Sequence, residues 1–460
     1  MAKRKKRERT KTPPPKPDQP LLRAAPIGVV ALAFLVFGYR LFELISDYAV
    51  NIFFSDQWDF DDATLFQHHS LWQMFTWQHG PHRQGAGAIL AWLVEPFFRW
   101  NSRIESFFVG GIVTVIALCA LLLKKKLYGR VSYSDVIIPM IFFCPLQYET
   151  LFITANLAHG PLPVLFLILY CLAWTCQDVL VRYSLVLAIN FLTIYTGFGL
   201  LLGILTPVFL AVDYWVNLRA MPKGKIYFIT ALLLALASFA SFFIGYKNQP
   251  AADCFSFQLQ LPTDYAWYVV LMFAPFFGVQ GIGFSPTVVG AIAVTALIAS
   301  LTLSAIGLFR AQGKPWQRYL AIAILTAYCL LFCVATAYGR LCLGIGLAQS
   351  SRYVIYLELG LLGLYFYLLK ISHTITRNTL IIVFGLSLLG MIASGERVRG
   401  QMAMFWQLKQ GWKNCYLALG DVERCNQYAK VYPWEPESTH LQEKLEFLRR
   451  TRQNLFADSK

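Results

Sequence analysis

Long apolar runs separated by short polar turns repeat along most of the chain, from Pro26 to Met391. Runs of roughly 17–25 residues are long enough to cross a hydrocarbon core as helices. Every backbone polar group in lipid needs a partner within the protein, and the sequence lacks the short alternating strands of a barrel. The pattern therefore predicts an all-α integral membrane fold with about 11 transmembrane helices, within a range of roughly 10–13.

Two apolar segments can be read either as spans or as surface helices. Charges near the end of 85–100 favour a helix that lies on the outer surface, and Pro275 within 265–284 favours a broken or re-entrant helix. We place the spans themselves near 26–45, 103–123, 133–147, 161–177, 183–197, 199–215, 226–246, 286–308, 319–338, 353–370 and 378–394.

The charge pattern predicts how the chain is oriented. The chain is 57% hydrophobic and carries a net charge of +15, with its positive residues in the N-terminal tail and in alternate turns. The positive-inside rule then predicts a basic, disordered cytoplasmic tail over 1–25, a membrane domain over 26–394 with a large outer loop at 46–102, and a periplasmic helical tail over 395–460. We expect a multi-pass protein of a bacterial inner membrane, and this charge distribution does not indicate nucleic-acid binding.

The C-terminal segment is the largest soluble part of the chain. Residues 402–430 and 440–455 show helical spacing of apolar residues, and the sequence VYPWEP between them predicts a break. Cys415 and Cys425 can pair across this helical hairpin, although spacing alone leaves their connectivity open. The remaining cysteines lie mostly inside apolar runs, where they are typical of small core residues.

A polar stretch directly follows the first predicted span. A carboxylate such as Asp56 at the outer membrane surface can deprotonate a hydroxyl or hold a divalent cation. Trp58 can form an apolar wall for a sugar ring. The alternative is a solvated acidic loop that carries an interfacial tryptophan.

The sequence HGPHR supplies a second group of candidates in the same loop. His79, His82 and Arg83 can hold a phosphate through charge-assisted hydrogen bonds, or a sugar. The His-x-x-His spacing also suits a metal, but no third ligand is identified. Simple surface exposure is the remaining interpretation.

Two arginines border a late outer loop. Arg352 lies at the mouth of a predicted membrane helix, where an arginine needs an anionic partner, and Arg340 lies at the other end of the loop. Snorkelling to lipid headgroups is the alternative for both.

The order of these elements resembles that of bacterial polytopic glycosyltransferases of the GT-C class. The shared elements are a basic tail, a first span, an acidic Asp-Gln-Trp loop with a His-x-x-His-Arg element, many further spans and a late Ser-Arg-Tyr at a helix mouth. The resemblance covers nearly the whole chain, and its individual motifs are short. It implies a GT-C-like fold and transfer of a sugar from a polyprenyl-phosphate donor to a cell-envelope glycan or lipid acceptor on the outer face.

The resemblance also implies roles for the candidate residues. Asp56 would act as general base on the acceptor hydroxyl, and His82, Arg83 and Arg352 would hold the lipid phosphate, while Arg340 is a further substrate-binding candidate. Trp58 and His79 would line the sugar. No cofactor is certain, and a divalent cation, Mg or Mn, stays open because Gly-Pro separates the two histidines and the second outer loop has few acids. The expected partners are the donor, the acceptor and membrane lipids.

Two other functions remain open at this point. An O-antigen-type polymerase or ligase also has many helices and outer arginines, but usually carries its large functional loop late in the chain. A transporter or flippase would place charges near the bilayer midplane and often contains repeats. Most spans here lack such charges, and no repeat of the first half is visible in the second.

Overall fold

The computed structural model describes residues 20–67, 69–247, 261–429 and 440–457. Within these ranges the regular strands form one short antiparallel hairpin, β1 (Gln78–His79) and β2 (His82–Arg83). All other regular elements are helical. The α-helices are α1 Pro20–Tyr48, α2 Gln57–Phe60, α3 Leu71–Thr76, α4 Gly85–Val94, α5 Ser102–Tyr128, α6 Ile137–Phe142, α7 Pro161–Ala173, α8 Val179–Ile194, α9 Leu200–Asp213, α10 Gly224–Ser241, α11 Pro262–Phe273, α12 Phe284–Leu308, α13 Gly313–Arg340, α14 Val354–Lys370, α15 Thr374–Leu388, α16 Gly390–Ala393, α17 Gly395–Leu419, α18 Val422–Ala429 and α19 Leu441–Thr451.

Eight helical segments of the described chain are long and apolar enough to cross a membrane. This confirms the predicted class of an all-α membrane protein. The segments are Ala24–Tyr48, Ser102–Tyr128, Gly197–Leu218, Gly224–Ser241, Phe284–Leu308, Gly313–Leu343, Ser351–Lys370 and Thr374–Leu419.

Three of the predicted spans are shorter in the structure than a membrane crossing requires. The first, 133–147, is divided into a 3₁₀ turn, the six-residue α6 and a second 3₁₀ turn that begins at Pro145. Helix α7 has 13 residues and α8 has 16, against the roughly 20 apolar residues of a typical span. Helix length therefore does not confirm the predicted count of about 11.

Both ambiguous segments are short helices followed by 3₁₀ turns. Helix α11 ends at Phe273, and the turn Ala274–Phe277 leads to Gly278, whose φ of +80° is left-handed. This is the break that Pro275 predicted. Helix α4 has only 10 residues and lies within the large loop between α1 and α5.

One end of the helical bundle gathers the basic turns, and we call it the basic face. Arg318 donates from Nε to the carbonyl of Leu127 at 2.8 Å, which joins the end of α5 to the start of α13. The buried Lys124 Nζ lies 2.7 Å from Asp135 Oδ2. Arg182 pairs in the same way with the buried Asp213.

The opposite end carries residues 49–101, and we call it the first-loop face. The C-terminal tail folds onto it. Asn454 is fully buried and donates from Nδ2 to the carbonyl of Trp100 at 2.7 Å, while its Oδ1 accepts from the Phe53 amide at 3.2 Å. Lys444 on α19 donates to the carbonyl of Trp58 at 2.8 Å.

The tail consists of α17, α18 and α19, which agrees with the predicted helical tail. Cys415 and Cys425 form a disulfide that joins α17 to α18. The predicted break at VYPWEP lies outside the described residues, as does most of the predicted basic tail over 1–25.

Candidate functional site

Asp56 stands at the start of the short helix α2, at the base of the first loop. Its carbonyl accepts from the Phe60 amide at 2.9 Å. The adjacent Gln57 fixes this turn, because its Oε1 accepts from the Phe54 amide at 3.1 Å and its Nε2 donates to the carbonyl of Ala155 at 2.9 Å. The Asp56 side chain is half-buried, so its carboxylate is rigidly placed yet reachable from solvent.

Arg352 lies within electrostatic range of this carboxylate and pairs with Glu149. Its Nη2 is 3.4 Å from Glu149 Oε1, and Glu149 Oε2 also accepts from the Arg352 amide and from Ser350 Oγ at 3.1 Å each. The charges of both Glu149 and Asp56 act on the guanidinium. Because the Arg352 side chain is 48% exposed, it can still reach a further anion. The structure thus brings two predicted site residues, Asp56 and Arg352, within range of each other's charge, although they lie near opposite ends of the membrane domain in the sequence.

Three histidines form an aromatic cluster next to α2. The ring centroid of His159 lies 5.2 Å from that of His82 and 6.2 Å from that of His79. The Phe60 ring contacts His79 at 4.5 Å and His159 at 4.8 Å, and Phe198 contacts His82 at 4.3 Å. Since Phe60 is one helical turn after Asp56, the cluster adjoins the candidate base.

Two histidines of this cluster, His82 and His159, are neutral. Nδ1 of His82 lies 3.2 Å from the carbonyl of Gly197 and must donate to it, which leaves Nε2 as an acceptor. Burial, with a smaller contribution from the nearby charges of His79 and Arg340, lowers the pKa of His82 to about 3. Burial likewise holds the pKa of His159 well below its usual range. These two neutral imidazoles can bind through hydrogen bonds but bring no positive charge.

Glycine is required at position 197, where the backbone packs closely against residues 158 and 159 beside the histidine cluster. Its φ is +53°, and a Cβ at this position would lie 2.7 Å from the carbonyl oxygen of Ala158 and 3.2 Å from the Cα of His159. The hydroxyl of Tyr356 donates to the carbonyl of His159 at 2.7 Å. These contacts fix the cluster to α14.

Arg340 supplies the positive charge that the histidines lack. It is exposed at the end of α13, and its charge acts on both His82 and Tyr268. Among the described residues, no carboxylate forms an ion pair with it. Arg340 is therefore better placed than Arg352 to bind an anionic ligand.

Arg83 has a different place from the one expected of a phosphate ligand. It is only 3% exposed, and its guanidinium donates to the carbonyls of Phe242, Ile244 and Thr76. It also packs against three aromatic rings, of which Phe242 is the nearest at 5.3 Å. Because these carbonyls use its donors, Arg83 anchors the first loop to the end of α10, and we leave it out of the phosphate site.

Trp58 is also buried instead of lining an open site. It has no exposed surface and packs edge-on against Phe53 at 5.3 Å and in a stack with Phe66 at 6.4 Å. These rings belong to the small core that the tail shares with the first loop. Trp58 therefore supports the segment that presents Asp56.

Sequence reasoning missed a group of acids behind Asp56. Asp61 and Glu105 line a small cavity of about 20 Å³, which is room for about one water molecule. Gln84 lines the same cavity and is 3% exposed, and its Nε2 has no hydrogen-bond partner within the described chain. Glu95 is as deeply buried and interacts electrostatically with both acids.

Burial and mutual repulsion keep protons on this cluster. Burial raises the pKa of Asp61 to about 7, and the neighbouring charge of Asp62 raises it further. Burial raises the pKa of Glu95 to about 8, with a further contribution from Asp61. Lys409 on α17 acts electrostatically on Glu105 and donates to the carbonyl of Ile153 at 2.8 Å, and Lys444 acts on Asp61. These acids are far apart in sequence, so no local motif reveals the cluster.

Glu358 is a second residue that the sequence interpretation passed over. It lies about one turn after the start of the apolar helix α14 and is fully buried, and neither carboxylate oxygen has a hydrogen-bond partner in the described ranges. Glu358 could be identified from the sequence, because it is the single acid in the apolar run VIYLELGLLGLYFYLL. An ionisable residue at this depth is expensive to bury and is commonly functional.

The described residues contain no group of three or more histidine, cysteine, aspartate or glutamate side chains arranged to hold a metal ion. Comparison with known proteins gave no match to any family model, curated protein or solved structure. The functional argument therefore rests on the geometry of the first-loop face.

Proposed function

We propose that the protein is a membrane glycosyltransferase that moves a sugar from a polyprenyl-phosphate donor to a cell-envelope glycan or lipid acceptor. The observation that carries this proposal is the approach of Asp56 to Arg352, within range of each other's charge, at the mouth of a membrane helix. A carboxylate next to exposed cations at a membrane surface fits the transfer of a group from a lipid-linked phosphate.

The proposed mechanism assigns one task to each part of the site. Asp56 accepts the proton of the acceptor hydroxyl as that oxygen attacks the anomeric carbon of the sugar. The bond from that carbon to the phosphate oxygen breaks, and the growing negative charge on the phosphate is stabilised by Arg340 and Arg352. The neutral histidines His82 and His159 provide hydrogen bonds beside the cations without competing for the phosphate charge.

Glu149 positions Arg352 in this scheme. It holds the Arg352 amide and guanidinium together, so the side chain extends from a fixed turn. Partial neutralisation by Glu149 also limits how tightly Arg352 would retain the phosphate product. Arg340, without a carboxylate partner among the described residues, would be the stronger phosphate ligand.

The cysteine pattern supports an outer location for this face. The disulfide Cys415–Cys425 lies in the tail that folds onto the first loop, and Cys342, two residues after Arg340, is also disulfide-bonded. The six free cysteines of the described ranges lie in or beside helices of the membrane region. Disulfides persist mainly in oxidising compartments, which favours a periplasmic or extracellular first-loop face.

The test is glycan incorporation in cells that depend on this protein. We expect Asp56→Asn to abolish incorporation and Arg340→Ala to reduce it, with normal protein levels in the membrane. The matched control is Asp47→Asn, since Asp47 is an exposed carboxylate at the base of the same loop. Full activity of both site variants at normal expression would contradict the proposal.

A proton-coupled transporter is the second candidate, and Glu358 is the specific observation in its favour. A buried carboxyl without partners within the described chain is stable only while it holds a proton, as in many proton relays. Under this alternative Glu358→Gln would abolish function while Asp56→Asn would spare it. Under the transferase proposal Asp56→Asn has the larger effect.

A further inference from the structure

An open groove runs between the first loop and α19, separate from the histidine cluster. It has a volume of about 610 Å³. Sites for small organic ligands typically measure roughly 300–1,000 Å³, so the groove can hold a ligand of more than one ring. One wall is formed by residues 62–67 and the other by the exposed edge of α19.

The floor of the groove contains two aromatic rings. Phe66 and Phe447 contact each other edge to face at a centroid distance of 5.7 Å, and both are partly exposed. The side-chain amides of Gln67 and Gln442 lie at the rim and provide both donors and acceptors. Partly exposed rings beneath a rim of amides match a ligand with an apolar ring face and a hydroxyl edge.

The charges around the groove are largely compensated. Lys444 Nζ lies 2.8 Å from Asp62 Oδ1, and Glu443 pairs with His440 at 3.2 Å. Glu446 pairs with Arg449, one turn further along α19, at 3.1 Å, and the Arg450 guanidinium lines the groove beside these carboxylates. Because no strong field of one sign remains, the groove has little attraction for a highly charged polymer.

We propose that this groove binds a neutral oligosaccharide, the chain of the acceptor glycan. The inference rests on the proposed transferase function and names its acceptor class. A pyranose ring presents C–H groups on its faces and hydroxyls at its edge, which suits the floor and the rim respectively. Lys444 ties α19 to the carbonyl of Trp58, two residues after Asp56, so a glycan in the groove lies beside the segment that carries the candidate base.

Binding is tested with the full-length protein in nanodiscs, by saturation-transfer-difference NMR. The probes are maltohexaose and chitohexaose as neutral oligosaccharides, an alginate hexamer as an acidic one, and a lysine-rich peptide. We expect the neutral oligosaccharides to bind and Phe447→Ala to weaken their binding by about tenfold, the effect of losing one aromatic contact. Phe97→Ala is the control, since Phe97 is 84% exposed and lies in the first loop away from the groove.

Gln67→Ala keeps the test valid if Phe447→Ala unfolds the tail. Gln67 is exposed and lies on the opposite wall, so its loss should weaken binding without changing thermal stability. The proposal is overturned if neither neutral oligosaccharide binds, if binding is unchanged in both variants, or if only the acidic oligosaccharide or the peptide binds through Phe447.

The two proposals fail in different ways. Asp56→Asn should retain oligosaccharide binding while losing transfer, because Asp56 does not line the groove. If Phe447→Ala and Gln67→Ala leave binding unchanged while Asp56→Asn loses transfer, the groove proposal fails and the transferase stands. If both groove variants weaken binding but Asp56→Asn incorporates glycan normally, the transferase proposal fails.

Discussion

The basic face and the first-loop face hold their buried charges in opposite ways. On the basic face, the buried Lys124 has Asp135, Ser132 and a backbone carbonyl within 2.9 Å, so every donor of its ammonium is used. On the first-loop face, burial raises the pKa values of Asp61 and Glu95, and a neighbouring acid, Asp62 for Asp61 and Asp61 for Glu95, adds to the rise.

This difference separates structural from functional charge. A buried ion pair whose hydrogen bonds are all formed specifies how helices pack, and its residues do not need to be accessible to a ligand. Like charges gathered beside a polar cavity reduce stability, and proteins commonly retain such arrangements at functional sites. The contrast between the two faces therefore supports the first-loop face as the site of activity. Four stability measurements test this contrast.

The largest expected effect is on the basic face. Lys124→Ala should lower the free energy of unfolding by about 3–5 kcal/mol, because it leaves the buried Asp135 carboxylate without its cation. Thermal and denaturant unfolding of the protein in nanodiscs measures this. Lys126→Ala, an exposed lysine on the same helix, is the control and should change little. If the two variants were equally stable, the Lys124–Asp135 ion pair would have no structural role.

The next effect concerns the anchor of the first loop. Arg83→Lys should cost about 2–4 kcal/mol, since an ammonium cannot reproduce the fork of donors that reaches three carbonyls. Arg103→Lys is the matched control, because Arg103 is exposed and donates to one carbonyl. Hydrogen exchange should show early opening of β1 and β2. A variant as stable as wild type, with weaker binding of a lipid phosphate, would return Arg83 to the phosphate site.

A smaller loss is expected where the tail meets the loop. Asn454→Ala should cost about 2–3 kcal/mol, because it leaves the Phe53 amide and the Trp100 carbonyl buried without their partner. Limited trypsin digestion should then release the tail earlier. Asn414→Ala, at an exposed position on α17, should not change digestion. Unchanged protection in Asn454→Ala would show that α19 alone holds the tail.

The smallest effect is a pH dependence of opposite sign at the acids and at the histidines. The folded pKa values of Asp61 and Glu95, about 7 and about 8, lie above their usual values of 3.8 and 4.5. The folded state therefore holds more protons than the unfolded state in this range, and stability should fall as pH rises from about 4 to about 8. For His82 the pKa is lowered from 6.5 to about 3, so stability should fall as pH drops through that range.

The double variant Asp61→Asn, Glu95→Gln isolates the acidic part of this profile. It should flatten the decline between about pH 5 and pH 8 and be more stable than wild type at pH 8, while leaving the acid limb unchanged. Melting temperatures measured across this range in nanodiscs provide the test. A slope that matches wild type would show that these acids are not repelling each other in the folded protein.

The sequence predicted the features that depend on local pattern. Apolar length identified the long spans, Pro275 predicted the break after α11, and the spacing of Cys415 and Cys425 allowed the pairing that the structure shows. The approach of Asp56 to Arg352 followed from topology, since both residues were assigned to one side of the membrane.

Features that depend on distant packing were not predictable. Arg83 and Trp58 are buried by α10 and α19, which lie far along the chain, so their polarity and position alone favoured an open site. The acid cluster was not predictable for the same reason, because Asp61, Glu95 and Glu105 come from three separate elements. Glu358 differs, because a lone acid inside an apolar run is visible without a structure.

The central claim is tested most directly by following the lipid donor in a purified system. The full-length protein in nanodiscs is supplied with polyprenyl-phosphate sugars and a mixed envelope-glycan acceptor, and the released polyprenyl phosphate is quantified by mass spectrometry. The account predicts acceptor-dependent release by wild type and by Asp47→Asn, and none by Asp56→Asn. Equal release by Asp56→Asn and wild type, or no release by wild type with any donor, would contradict it.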